Sequence, residues 1–325
     1  MTALPDILSA VLRAISFVLV LQAAGMVFFA AAFGPALTIS LASVRALARG
    51  TAFGGLVITA GHYLMEAARM AGDMSGLFDS ALQAMAWNST AGGAFAVREL
   101  GLLLIVAGMQ SPAVRLMSDG SFKSSASLSP TLWLRRLSSH GFTVVGIAGA
   151  VLVACSFALT GHTATSSWRV ILAPLLLTHL LLVSFWLGAL LPLYLATLRE
   201  PHERAARVVA LFSAAAFWLV PLIALAGISI AALLLPNVEA LRQPYGEIII
   251  AKVVLFAVLM ALAALNKWRF GPALARPELS AGQSFRRVVI VEYVLIVAVL
   301  AITAVMTTFY SPESPLGTSP LTRLQ

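Results

Sequence analysis

The chain has 325 residues, of which 60% are hydrophobic and only 10% charged, and its mean hydropathy is +0.95. Soluble domains carry roughly 25% charged residues, so a water-soluble fold of this size could not coat its surface and is excluded. The single cysteine, Cys155, excludes both an internal disulfide framework and a multi-thiolate metal cluster. These values predict an all-α polytopic membrane protein, a bundle of about eight transmembrane helices.

In chain order, Met1 to Asp6 has no basic residue and runs straight into an apolar stretch longer than a signal-peptide core, which reads as a retained span. With about 20 apolar residues needed per crossing, spans are predicted near 7–35, 51–70, 94–114, 140–160, 168–197, 208–235, 247–270 and 288–310. Together they make one transmembrane domain over 1–310, followed by an extended tail over 311–325 that carries three prolines. The net charge of +8 is unevenly spread. The loops after spans 1, 3, 5 and 7 hold Arg45 and Arg49; Arg115, Lys123, Arg135 and Arg136; Arg199, Arg204 and Arg207; and Lys267, Arg269, Arg276, Arg286 and Arg287. The positive-inside rule puts these loops in the cytoplasm and both termini outside it, in the periplasm of a bacterial inner membrane. The segment 117–131, rich in serine, reads as a flexible linker on the basic side.

Ionisable residues inside spans are costly and mark functional candidates. His62 falls near the middle of span 2, with Met65 and Glu66 three and four residues further out on the same face. His179 falls near the middle of span 5, and His162 at the outer mouth between spans 4 and 5. Arg13, Arg98, Glu99 and Lys252 fall in the outer thirds of their spans, so an outward-facing polar chamber accommodates the set. Imidazole binds copper, zinc, iron and nickel, and thioethers favour Cu(I). With Met65, Met70, Met74 and Met85 at or beyond the outer end of span 2, copper is favoured over hard cations. Against this stand ordinary structural roles: methionine more often fills core gaps, His62 can bond between helices, and the arginines can pair with the carboxylates. Glu292, near the basic end of span 8, is expected to pair with Arg286, Arg287 or Lys267.

No P-loop, metal-pump ATPase segment or H-E-x-x-H pair is present, so the protein is not expected to be an enzyme, and transport would run downhill or on an ion gradient. The basic residues form no aromatic-interleaved stripe, so the lipid bilayer and not nucleic acid is the expected partner.

Several landmarks occur in order: Gly93-Ala-Phe-Ala-Val-Arg98; Leu159-Thr-Gly-His162-Thr; His179 seven residues before Trp186-Leu-Gly-Ala-Leu-Leu-Pro192-Leu; Tyr245-Gly246; Lys252; Asn266-Lys267; Pro272; Arg286-Arg287; and Glu292. In this order and spacing the chain resembles the CopD family of bacterial copper resistance and copper homeostasis membrane proteins. It departs in having Gly-His-Thr for the family's Gly-His-Ala and Asn-Lys for Asn-Arg, neither of which removes a potential ligand. The resemblance implies an inner-membrane protein that handles a copper ion, either oxidation state being open, delivered by a separate CopC-like periplasmic copper-binding protein. The expected function is copper import. His162 and the outer methionines would accept the ion, His62 and His179 would relay it with help from Glu66, and Arg98 and Lys252 would shape the chamber electrostatically. Two rivals remain: a b-type cytochrome with His62 and His179 as axial haem ligands, and a structural or sensory subunit whose polar groups only lock packing.

Overall fold

A computed structural model describes residues 4–110, 130–235, 237–274 and 279–310. Every regular element among them is helical: α1 (Leu4–Phe33), α2 (Leu41–Ala71), α3 (Ser80–Trp87), α4 (Thr90–Gly108), α5 (Pro130–Phe157), α6 (Arg169–Arg199), α7 (His202–Leu234), α8 (Pro244–Leu265) and α9 (Leu279–Phe309). This is the all-α class that the composition predicts. Seven stretches are long and apolar enough to cross a membrane: Leu4–Ala36, Leu41–Ala71, Thr90–Gly108, Arg169–Arg199, His202–Leu234, Pro244–Phe270 and Ala281–Phe309. In α5 the apolar part is Thr143–Phe157. The serine-rich segment lies outside the described residues up to Ser129, as does the tail from residue 311.

Helices outrun their apolar stretches. Arg45 and Arg49 lie within the first turns of α2, because the helix satisfies its own backbone whether or not lipid surrounds it. At the opposite end of the bundle, α3 and a 3₁₀ turn over Met74–Phe78 join α2 to α4. Asp73 and Asp79 cap these short pieces by accepting bonds from Ser75 and from Ala81 and Leu82, and Ser89 caps α4 by accepting from Ala91.

α1 is the centre of the bundle and packs on α2, α5, α6 and α9. On one side, Val20, Met26 and Val27 join Leu102, Ile105 and Val153 of α4 and α5 in one buried cluster. On the other, Leu21, Phe29 and Phe33 join Leu187, Leu190 and Leu193 of α6 and Phe212 of α7 in a second. Backbones nearly touch where α1 crosses α6. A Cβ on Gly25 would fall on the Ser184 carbonyl, and one on Gly188 would fall on the backbone of Gly25. Gly101 and Gly149 repeat this device between α4 and α5. In lipid, where apolar side chains gain nothing by leaving the solvent, such close approach is a main source of helix association. By contrast, α8 packs chiefly on α9 and buries only Tyr245, Gly246 and Leu259.

At the basic end, one carboxylate ties two turns together. Glu200, 8% exposed, accepts bonds from the backbone N–H groups of Thr38 (3.1 Å), Ile39 (2.8 Å) and Ser40 (2.7 Å) and from the Thr38 hydroxyl (2.8 Å). The negative charge sits at the N-terminus of α2, where the helix dipole favours it. Burial pushes the Glu200 carboxyl upward, but the bonds from Ser40, Thr38 and Ile39 outweigh it and hold it down at about 2. A depressed carboxylate contributes stability above its unfolded value near 4.5 and loses it as pH falls toward about 2. Glu200→Gln is therefore expected to cost about 1–2 kcal/mol at neutral pH. Thermal unfolding in detergent should show the gap to wild type closing as pH falls through that window; a gap independent of pH would refute the assignment.

Candidate functional site

Depth comes first from helix geometry. Arg13 is nine residues from the start of α1, Arg98 eight from the start of α4, His179 ten from the start of α6 and Lys252 eight from the start of α8, while His62 is nine short of the end of α2. At 1.5 Å per residue these groups lie about 12–15 Å from the helix ends opposite the basic loops, roughly half the hydrocarbon thickness. They form one polar layer, but two separate groups.

The first group joins α1, α2, α4, α5 and α9. The Arg13 Nε donates to His62 Nε2 at 3.2 Å, its Nη1 donates to the Thr307 carbonyl at 2.9 Å, and its Nη2 lies 3.9 Å from Glu66. Ser9 Oγ is 3.4 Å from the same His62 nitrogen. Arg69 pairs with Glu66 at 3.5 Å and with Asp6 at 3.0 Å. One layer over, the Thr59 hydroxyl donates to the Glu99 carboxylate. Arg98 Nε donates to Ser156 at 3.0 Å, with its guanidinium 4.4 Å from the Phe157 ring centre. Three arginines thus face three carboxylates, and the cluster is electrically balanced. The His62 lone pair is directed at Arg13, so a metal or haem iron bound there would have to displace a guanidinium. Glu66 is likewise engaged by Arg13 and Arg69, and Met65, 8% exposed, is packed in the interior.

The second group joins α6 and α7. His179 Nδ1 lies 3.1 Å from the Ile223 carbonyl oxygen, and the imidazole packs against Gly227, where a Cβ would meet Cε1 at 3.2 Å. A carbonyl can only accept, so Nδ1 carries the proton and neutral His179 keeps its lone pair on Nε2. This N–H to carbonyl bond is the usual way a metal-ligating histidine is oriented. Lys252 stands on α8 at a similar distance from its helix end. The two histidines have different partners, His62 being bonded to Arg13 of α1 and His179 to Ile223 of α7.

His162 opens a single helical turn, His162–Thr165, directly after Gly161, whose φ of +80° is a left-handed conformation suited to glycine. Its side chain lies outside the described residues. Met70 and Met85 are exposed near the same end of the bundle as α3. Among the described residues no set of three His, Cys, Asp or Glu side chains converges as a metal cage.

Two further features depart from the sequence reading. Glu292 pairs with none of the expected cations: its Oε1 accepts from Asn266 Nδ2 at 2.7 Å, while Lys267 lies 3.5 Å over the Phe217 ring and Arg286 donates to the Thr197 carbonyl. From α1 the sequence offers Arg13, and the structure adds Asp6 and Ser9, which share a helical stripe with it. Gln22 and Ser184 are fully buried, and their side-chain polar atoms have no partner among the described residues.

Removing Arg13 should expose how much the first group holds. Arg13→Leu strips His62, Glu66 and the Thr307 carbonyl of a donor at once, and breaking a buried pair costs about 3–5 kcal/mol. A large loss of thermal stability in detergent is expected; unchanged stability would show that the cluster is not structural.

Residues 206–306 match the family model of copper resistance protein D (CopD). No curated protein and no solved structure matches the chain. The matched part runs from α7 into α9 and carries Ile223, Gly227, Lys252, Asn266 and Glu292, whereas His62, His162 and His179 precede it.

Proposed function

We propose that the protein carries copper across the bacterial cytoplasmic membrane, from periplasm to cytosol, and so contributes to copper homeostasis and resistance. The observation that carries this reading is the copper resistance match over 206–306, which supplies the Ile223 carbonyl and Gly227 that pack against His179. With the basic loops in the cytoplasm, both termini are periplasmic and the polar layer lies in the outer half of the bundle, where an ion from outside arrives first.

In this reading His162 and the methionines around α3 receive the ion, with a CopC-like periplasmic protein as donor. His179 Nε2 is the intramembrane ligand, preset by its Nδ1–H bond to Ile223. Lys252 puts a positive charge in the same polar layer, which would keep cation binding shallow enough for release. The balanced cluster around His62 braces α1, α2 and α9 beside the path; Arg98 and Glu99 extend it to α5 through Ser156. Nothing in the chain couples to ATP, so the driving force is a gradient.

Cytoplasmic copper in cells with and without the protein tests the direction. Inward transport predicts more copper with the protein present, and copper that falls on its expression would reverse the assignment.

A further inference from the structure

Between α6, α7, α8 and α9, toward the basic end, lies a cavity of about 210 Å³. Its walls are mostly apolar, Leu190, Phe212, Val220 and Phe285 among them, yet Glu292, Asn266 and Lys267 also line it. Glu292 is 3% exposed. Its described partners are all neutral: Asn266 at 2.7 Å and the indole of Trp186. Asn266 stands at the head of a π-helical stretch, Asn266–Phe270, and its Oδ1 is buried with no partner among the described residues. π-Helical turns recur at functional sites because the widened backbone re-aims side chains.

A carboxylate in such surroundings must take up a positive charge, since an unpaired buried anion costs several kcal/mol. The charged groups nearby do not supply it. Lys267, in the π-helical stretch, lines the cavity but holds its Nζ 3.5 Å over the Phe217 ring and forms no ion pair with Glu292 among the described residues, and Arg286 of α9 donates to the Thr197 carbonyl. Arg287 lines a different pocket with Tyr194, and neither α6 nor α7 presents an ionisable group to this cavity. A hard metal cation wants about six oxygen ligands; Glu292, Asn266 and Ser213 give too few. A proton needs only one acceptor for the O–H it creates, and Asn266 Oδ1 is such an acceptor in reach of the same carboxyl by rotation of the amide.

We propose that Glu292 is a proton-binding site, reached through the cavity from the basic side of the bundle, and that it is the coupling carboxyl of the copper transport inferred above. The proton on Glu292 leaves to water on that side and returns from it, with Asn266 donating to the carboxylate in one state and accepting from the carboxylic acid in the other. The coupling role rests on the transport reading; the proton site does not.

Infrared difference spectra of the purified full-length protein, in H₂O and D₂O from about pH 5 to about pH 9, should show a protonated carboxyl band at neutral pH that shifts on deuteration and is missing in Glu292→Gln. No such band in the wild type, or the same band in the variant, overturns the proposal. Should the variant fail to fold, labelling of the wild type by dicyclohexylcarbodiimide, which adds to protonated carboxyls, decides the matter: modification of Glu292 at neutral pH that declines in alkali supports the site, and none refutes it. In proteoliposomes, copper addition should move protons with the wild type and not with Glu292→Gln. Copper movement without proton movement removes the coupling role; absence of any copper movement by the wild type fails the transport reading and leaves the infrared band to judge the proton site.

Discussion

Gly25→Val is expected to prevent the bundle from assembling as a stable, monodisperse protein. The new side chain would begin where the Ser184 carbonyl already stands, and the opposing surface is backbone that no rotamer change can move. The two helices must then separate. Because α1 belongs to both buried clusters, that separation loosens Leu21, Phe29 and Leu187 on one side or Val20, Met26 and Leu102 on the other. Overpacking alone costs about 1–3 kcal/mol, and the lost contacts add to it. Thermal unfolding in detergent should show the largest destabilisation of any single substitution considered for this chain. Gly93→Ala is the control: a Cβ there meets nothing within 4 Å, so stability should hold or rise slightly. Equal behaviour of the two variants would mean that the α1–α6 crossing is not close-packed.

His179→Ala is expected to reduce copper accumulation to that of cells lacking the protein while the protein remains folded. The substitution removes the Nε2 lone pair and leaves a small void beside Gly227; the Ile223 carbonyl keeps its place in α7. His179→Gln sharpens the test, since glutamine can still donate to that carbonyl but offers no imidazole. If Gln restores transport, the residue acts through packing and the ligand role is wrong. His62→Ala should behave differently, lowering stability by freeing Arg13 while sparing part of the transport. Transport lost with His62 and kept without His179 would exchange their roles.

The contrast between these two histidines shows where sequence reading stops. Depth is a coordinate along the chain: hydropathy puts His62 and His179 near the middle of their spans and Arg98 and Lys252 further out, and at 1.5 Å per residue the helix bounds put all four about 12–15 Å from the ends opposite the basic loops. Position around the bundle axis is set by the order in which helices pack, which no single span carries. So His62 meets Arg13 of α1, and His179 meets Ile223 of α7. Glu292 shows the same limit at short range: Arg286 and Arg287 precede it on its own helix, yet its partner is Asn266, just past the end of α8. Glu200 reaches back 160 residues to the N–H of Ser40, a link no local pattern announces. The helices themselves were legible because composition and backbone satisfaction in lipid allow little else.

The position of α1 in both clusters has a mechanical meaning. It is the axle shared by the α2–α4–α5 side and the α6–α7–α9 side. Arg13 is fastened to it near one end, and the bare Gly25–Gly188 contact is its bearing, with no interlocking side chains at the point of closest approach. A slide of α1 by a single residue's rise, about 1.5 Å, would carry the guanidinium past His62 and Thr307 together. Any displacement of α1 would therefore disturb both buried clusters and both Arg13 bonds at once.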